Sequence, residues 1–215
     1  MSFPFDISRK ITLPISGTSD VFPVNQVYCV GRNYAAHVKE MGADSRRPPF
    51  FFTKPNWTVS TSDVRYPNNT NNLQHEIELV IAVGEKMSIF GFAVGVDLTR
   101  RDVQNRAKKD GKPWFSGKSF IGSLPISEII PVRKDIDYSR LELVLKVNKK
   151  LKQFASCADM LWSPQEILRE LSRDVPLVQG DLIFTGTPSG VGPVKIGDKI
   201  EASITGKVEL SFSII

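Results

Sequence analysis

Residues 73 to 82 read LQHEIELVIA. From Glu76 onward the run is apolar, rich in isoleucine and valine and free of Gly and Pro, which predicts a buried strand over 76–83. Side chains alternate along a strand, so Glu76 and Glu78 fall side by side on one face. Two such carboxylates repel each other and lose hydration, and one takes up a proton unless a cation lies between them, either a basic side chain or a metal ion. A second apolar run, FGFAVGVDLT, ends in Asp97, and a neighbouring strand could bring this third carboxylate beside the pair. Three carboxylates with no cysteine and no paired histidines make an all-oxygen donor set, which suits Mg²⁺ or Mn²⁺ better than zinc. The zinc-protease pattern fails, because HEIEL has Leu79 where HExxH requires histidine. Spacing alone leaves a rival open, in which an exposed sheet edge solvates both glutamates.

Other side chains could act on a ligand near such a centre. His37 lies in NYAAHVKEMG, a short predicted helix that Asn33 can cap and Gly42 can stop. Glu40 follows on the same helix face, so imidazole and carboxylate can touch, and a histidine held this way is a suitable general base toward water. A solvated surface pair accounts for the same spacing. His75 faces away from Glu76 and reads as a supporting residue. Thr99 is placed to cap a helix, RRDVQNRAKKD, that ends at Gly111 and carries Arg101, Gln104 and Lys108 on one face. Lys118 follows in PWFSGKSF, among aromatic and small residues, where a lysine stabilises an oxyanion or enolate better than in open solvent. The alternative is a surface lysine with its stem on Trp114 or Phe115. TGTPSGVG is rich in glycine but no GK[ST] follows and the next elements are strand-like, so it is not a phosphate loop; Thr187 and nearby N–H groups can still contact a carboxylate.

The elements that must position these residues are mostly strands: 26–30, 50–54, the two apolar runs, LELVLKVNKK paired with LKQFA, and the Gly/Pro-punctuated strands of the last third. SPQEILRELSR is an amphipathic helix with Ser163 at its cap and Pro164 at its first position. The pattern predicts a β-rich α+β chain with a mixed sheet and argues against a doubly wound α/β fold. With 215 residues, 41% hydrophobic and 24% charged, one domain is the default. No run is long enough for a membrane span and the opening residues lack a signal-peptide core, so a cytoplasmic location is expected. Cys29 and Cys157 make no disulfide framework and read as structural. The net charge is +5, with a basic cluster from Arg100 to Lys118 that would attract an anion.

In this order, GRNYAAHVKEMG, HEIEL, GVDLTRRDVQ, KPWFSGKSF and GDLIFTGTPSGVGPVKIGDKIE resemble the fumarylacetoacetate hydrolase family, in particular its short acylpyruvate and fumarylpyruvate hydrolases. The likeness runs from about Val27 to the C-terminus, which leaves 1–26 as an N-terminal extension and 27–215 as a single catalytic domain. It implies a mixed β-roll, a homodimer, and Mg²⁺ or Mn²⁺ held by Glu76, Glu78 and Asp97. It also implies that His37 and Glu40 activate water, that Lys118 and Gln104 hold and polarise the substrate, that Arg101 contacts its carboxylate, and that Thr187 lies in a substrate-facing loop.

The activity implied is cleavage of the carbon–carbon bond of an acylpyruvate, a small anionic keto acid, with PPFFFTKP most like the fumarylpyruvate members. Oxaloacetate decarboxylation at the same metal is the rival, since it yields the same enolate. Nucleic-acid binding through the basic cluster is remote, because the cluster lacks interleaved aromatics and any recognised motif. The sequence departs from the family pattern in one place. The stretch LVIAVGEKMSIFGFAVGV between Glu78 and Asp97 is short, as though a helical excursion were missing, although both strands are kept.

Overall fold

The computed structural model describes residues 10–34, 48–132 and 136–215. His37 and Glu40 of the predicted helix lie outside them; its expected cap, Asn33, is described, and its side chain bonds Trp162 and Thr185. In chain order the strands are β1 (Thr12–Pro14), β2 (Val21–Pro23), β3 (Val27–Gly31), β4 (Phe50–Lys54), β5 (Val59–Ser60), β6 (Leu73–His75), β7 (Ile77–Val83), β8 (Ile89–Val96) and β9 (Thr99–Arg100). After the helix Arg101–Lys109 and the helical turn Phe115–Lys118 come β10 (Leu124–Pro125), β11 (Ile130–Pro131), β12 (Glu142–Val147) and β13 (Lys150–Ser156). The helix Pro164–Leu171 leads to β14 (Leu182–Phe184), β15 (Gly192–Val194), β16 (Lys199–Ile204) and β17 (Val208–Ser213).

The expected β-rich, mixed architecture is borne out. A six-stranded sheet of order β11-β8-β7-β14-β3-β4 has β14 parallel to β3 and every other pairing antiparallel. A four-stranded antiparallel sheet, β13-β12-β16-β17, packs against it, and β15-β6-β9 form a small separate sheet. β7 lies inside the six-stranded sheet with all of its residues buried. Leu79 and Ile81 join the core shared with Leu143, Leu145, Ile200 and Phe212. Val80 and Ala82 join a second core, on the opposite face, with Val27, Cys29 and Phe184. Burial on both faces explains why this stretch reads as a continuous apolar run without alternation. Leu13, Phe22 and Val24 from the N-terminal segment pack into the second core.

The link between β7 and β8 is a single turn over Glu85–Met87, with Lys86 and Met87 at positive φ of 52° and 58°. The strands it joins stay in register from Ile77 opposite Val96 to Ala82 opposite Gly91, so the short link leaves the strand ends intact. Two helix boundaries illustrate local chemistry. Ser163 caps Pro164–Leu171 in a reciprocal capping box with Glu166, as its sequence predicts. Thr99 does not cap the basic helix: it pairs with Gln74 in the small sheet, and Arg100 takes the cap position without a side-chain bond. Its hydroxyl turns back to the Asp97 carbonyl instead, at 3.3 Å. The helix ends as predicted at Gly111, whose φ of +62° suits glycine.

Candidate metal and substrate site

Glu76, predicted to open the buried strand over 76–83, lies one residue before it. It sits at the break where the chain leaves β6 in the small sheet and enters β7 in the large one. Its carbonyl accepts the Asp97 N–H at 2.8 Å, which fixes the end of β8 beside it. Glu78 is two residues further along and opposite Gly95. The three carboxylates, all buried, each place an oxygen within 4.8 Å of the others. The cluster expected from two separate apolar runs is therefore brought together, and the reading in which an exposed edge solvates the glutamates is excluded.

Basic side chains supply part of the neutralising charge. Lys118 Nζ donates to Glu76 Oε2 and Asp97 Oδ2, both at 2.7 Å. Arg101 pairs with the other oxygen of Glu76. Lys54, fully buried at the end of β4, donates to Asp97 Oδ1 at 2.7 Å and to the Ser123 carbonyl at 3.1 Å. Glu78 accepts the Gly186 N–H at 2.6 Å and has no basic partner among the described residues.

The charge states follow from this arrangement. Burial pushes the Glu76 carboxyl up, but Lys118 and Arg101 outweigh burial and hold it down to about 2. Burial also pushes Glu78 well above the usual carboxylate range, and the charges of Asp97 and Glu76 push it the same way. Lys118 is raised above the ordinary lysine value because Asp97 and Glu76 overcome its burial. Lys54 is lowered by burial, with Asp97 opposing. Glu78 is thus the acid whose ionisation needs a further cation.

The donor set fits a small divalent ion. It consists of carboxylate oxygens only, the type that Mg²⁺ and Mn²⁺ prefer, and the adjoining cavity of about 50 Å³ exceeds the room that one water requires. That cavity is lined by the three acids together with Arg32, Phe50, Phe52, Arg101, Gln104, Lys108, Trp114, Lys118 and Thr187. Arg101, Gln104 and Lys108 share a helix face, as their spacing predicts. Arg101 is held in place by Gln74 Oε1 at 2.8 Å and by Gln104 Oε1 at 2.6 Å. The turn bearing Lys118 packs on this helix through Gly117, where a Cβ would fall 2.9 Å from Gln104 Cβ and 3.0 Å from its Cα. Any larger residue there would lift Lys118 away from the acids.

Thr187 reaches the same cavity. Its hydroxyl accepts from Gln153 Nε2 at 2.9 Å, and the Gln153 carbonyl oxygen meets His75 Nδ1 at 2.9 Å and the Ile77 N–H at 3.1 Å. His75 therefore supports the site from behind, as expected. Lys54, Gln153 and the cavity-lining Arg32 are residues that sequence reasoning missed. The signal for Lys54 was its alternation with Phe50 and Phe52, which puts it on the cavity face of β4. Of the basic cluster, Arg101 and Lys118 point inward to acids, while Arg106 pairs with Asp102 at 3.8 Å on the helix surface.

A buried carboxylate trio with Lys118 across two of its acids, set in a mixed β-roll and open to a cavity lined also by cations and aromatic rings, is a site that can hold a divalent metal ion. The chain belongs to the fumarylacetoacetate hydrolase family, whose C-terminal domain model matches residues 26–215. Human mitochondrial oxaloacetate tautomerase FAHD1 is 40% identical over 200 residues, covering 87% of this chain and 90% of that protein. The crystal structure of fumarylpyruvate hydrolase from Pseudomonas aeruginosa in complex with Mn²⁺ and pyruvate is 40% identical, with a TM-score of 0.94, covering 100% of this chain and 99% of that one. A 5-carboxymethyl-2-hydroxymuconate delta-isomerase from Mycobacterium smegmatis is 29% identical, with a TM-score of 0.78 over 90% of this chain and 78% of its own. Among the described residues no helix is long and apolar enough to cross a membrane.

Proposed function

We propose that the protein hydrolyses the carbon–carbon bond of an acylpyruvate, with fumarylpyruvate favoured, using Mg²⁺ or Mn²⁺ held by Glu76, Glu78 and Asp97. The observation that carries this reading is Glu78, a buried carboxylate with no basic partner among the described residues, beside two acids already paired with lysine and arginine. The bound ion would supply Lewis-acid polarisation of the α-keto acid oxygens. The likeness to a fumarylpyruvate hydrolase solved with Mn²⁺ and pyruvate supports both the metal and the product.

The remaining work falls to the chain's own groups. Arg101, Gln104 and Thr187 hold the substrate carboxylate and fix its orientation. His37, oriented by Glu40, takes a proton from water, and the resulting hydroxide attacks the distal carbonyl. The carbon–carbon bond breaks, its electron pair passes to the pyruvate fragment as an enolate, and the acyl fragment leaves as a carboxylate. Lys118 lies at the acids where that enolate oxygen develops, so its ammonium stabilises the enolate more than the ground-state ketone. Changing His37 to Ala is expected to lower kcat and leave metal affinity nearly intact.

A second reading is favoured by the named relatives. Oxaloacetate is also an α-keto acid, and its tautomerisation or decarboxylation passes through an enolate that Lys118 would stabilise in the same way. A pyruvate-release assay on fumarylpyruvate, acetylpyruvate and oxaloacetate, with Mg²⁺ and with chelator, separates the readings when the oxaloacetate enol is followed in parallel. Metal-dependent pyruvate release from the acylpyruvates is expected. Activity confined to oxaloacetate would replace this function by the second, and no metal dependence would overturn both.

A further inference from the structure

The cavity has two chemically different ends. The inner end holds the three acids, with the cations Lys54, Arg101 and Lys118 paired to Glu76 and Asp97. The outer end carries Arg32 and Lys108, and neither forms an ion pair with an acid among the described residues. Both are seated on aromatic rings. Arg32 Cζ lies 5.9 Å from the centroid of Phe50, and Lys108 Nζ lies 4.9 Å from that of Trp114. The two rings meet edge to face at 5.5 Å, and Phe52 packs on Trp114 at 5.9 Å.

The backbone is committed to this arrangement. Arg32 adopts a positive φ of 64°, which a side chain rarely accepts without compensation. Its neighbour Asn33 is locked by bonds to Trp162 and Thr185, so the turn that aims Arg32 is rigid. Gly31 lets the Phe50 ring lie on the chain itself, since a Cβ there would fall 1.9 Å from Phe50 Cζ. Lys108 sits under partial burial and the charges of Arg101, Lys118 and Arg32, which together depress its ammonium more than Glu76 restores it. The outer end is therefore a net positive mouth with flat apolar walls. Beyond Phe50, Phe52 and Trp114 it adjoins a chamber of about 430 Å³ lined also by Phe115 and Lys112.

A substrate carrying a single carboxylate would use the inner end and leave this mouth unanswered. We propose that Arg32 and Lys108, set on the Phe50–Trp114 pair, are specificity-determining residues that read a second carboxylate at the far end of a planar, unsaturated acyl arm. The preferred substrate class is then a dianionic 2,4-diketo acid. This rests on the acylpyruvate reading above and deepens it by naming what the acyl group must carry. A dianion would bring a second negative charge to Arg32 and Lys108, whereas a monoanion held at the inner end would not. Oxaloacetate, whose two carboxylates are close together, would meet the inner groups but not span to the mouth.

The test compares kcat/KM for fumarylpyruvate with that for crotonylpyruvate, which has the same unsaturated arm without its carboxylate, in wild type and in Arg32→Met and Lys108→Met. Wild type is expected to prefer the diacid by about tenfold or more, the size of a hydrogen bond to a charged group, and each variant to bring the ratio toward unity mainly through KM. A wild type that treats the two alike, or variants that slow both equally, would overturn the proposal. Calorimetric binding of fumarate and crotonate to the Mn²⁺-loaded protein decides the same point without turnover: fumarate is expected to bind more tightly, and Lys108→Met to erase the difference. If no acylpyruvate is cleaved, the proposed function falls, yet equal binding of the two acids would still be what sinks the carboxylate subsite.

Discussion

Gln153 Nε2 donates to the hydroxyl of Thr187 at 2.9 Å, and this bond decides which way the threonine proton points. The Gln153 amide has no capacity left: its second N–H goes to the Pro188 carbonyl at 3.0 Å, and its oxygen takes His75 and the Ile77 N–H. With its oxygen accepting from Gln153, the Thr187 hydroxyl keeps its own hydrogen for a ligand oxygen in the cavity. A residue of the second sheet thus holds together the start of β7, the back of the site and a donor at its front.

The two roles of Gln153 can be separated. Gln153→Leu strands the His75 ring nitrogen and the Ile77 N–H, each at a cost of about 1–3 kcal/mol, so the melting temperature is expected to drop by several degrees. It should also raise KM for the keto acid. In a Thr187→Val background the KM effect of Gln153→Leu is expected to vanish while the stability loss stays. A full KM effect in the double variant would show that Gln153 does not act through Thr187.

Glu76 and Glu78 should answer differently to loss of charge. Glu78→Gln keeps an acceptor for the Gly186 N–H and removes a buried carboxylate that lacks a cation, so the metal-free protein is expected to melt at the same temperature or higher. Glu76→Gln leaves Lys118 and Arg101 short of their acid and is expected to lower it. Both should abolish the upward shift produced by Mn²⁺, which in wild type amounts to about 2.7 kcal/mol at a hundredfold excess over Kd. Differential scanning fluorimetry with and without the ion reads all of these. A Glu78→Gln protein that keeps its Mn²⁺ shift would remove Glu78 from the ligand set.

Much of this was legible in the sequence, and the parts that were not have a common cause. The apolar run after Glu76, the aspartate closing the next run and the shared helix face of Arg101, Gln104 and Lys108 are local patterns, and all three hold. Lys54 was missed because its partner Asp97 is 43 residues away and comes within reach only through the order of strands in the sheet. Gln153 was missed because its strand inverts the usual pattern, with Leu151 and Phe154 more than half exposed and the glutamine buried. The strand β6 just before Glu76 was missed for a related reason: its partners β9 and β15 lie in a different sheet from β7, and no local pattern marks its three residues as a separate strand. Thr99 failed as a cap because pairing with Gln74 competed for its backbone, a contact no local rule sees.

The two thiols give a pH prediction with a definite sign. Burial pushes Cys157 up to about 11, and burial followed by the nearby Asp97 charge raises Cys29 well above its usual range. Above about pH 8.5 a thiol in the unfolded chain loses its proton while the folded one keeps it. The unfolded state then binds fewer protons, so stability should fall as pH rises from about 9 toward 11. Neither cysteine should react with iodoacetamide in the native state at pH 8, and both should react in denaturant. Rapid native labelling would show that one of them is exposed by opening of its surroundings.

Lys54 offers the sharpest test of how the acids are held. Its ammonium is fully buried and among the described residues reaches only Asp97 and the carbonyls of Ser123 and Leu98, so removing it leaves Asp97, among those residues, with Lys118 as its cation. Breaking a buried pair from one side costs about 3–5 kcal/mol, most of it the penalty of the charge left behind. Lys54→Met is accordingly expected to be strongly destabilising, and Lys54→Arg no rescue, because a planar guanidinium does not fit the compact set of acceptors around the ammonium. In the double variant Lys54→Met with Asp97→Asn the stranded charge is gone, and the loss should be clearly smaller than the sum of the two single losses. Urea unfolding of the four proteins measures this coupling. Additive losses would mean that Lys54 fills space beside Asp97 without fixing it, and the orientation of the trio would then rest on Lys118 and the strand break at Glu76.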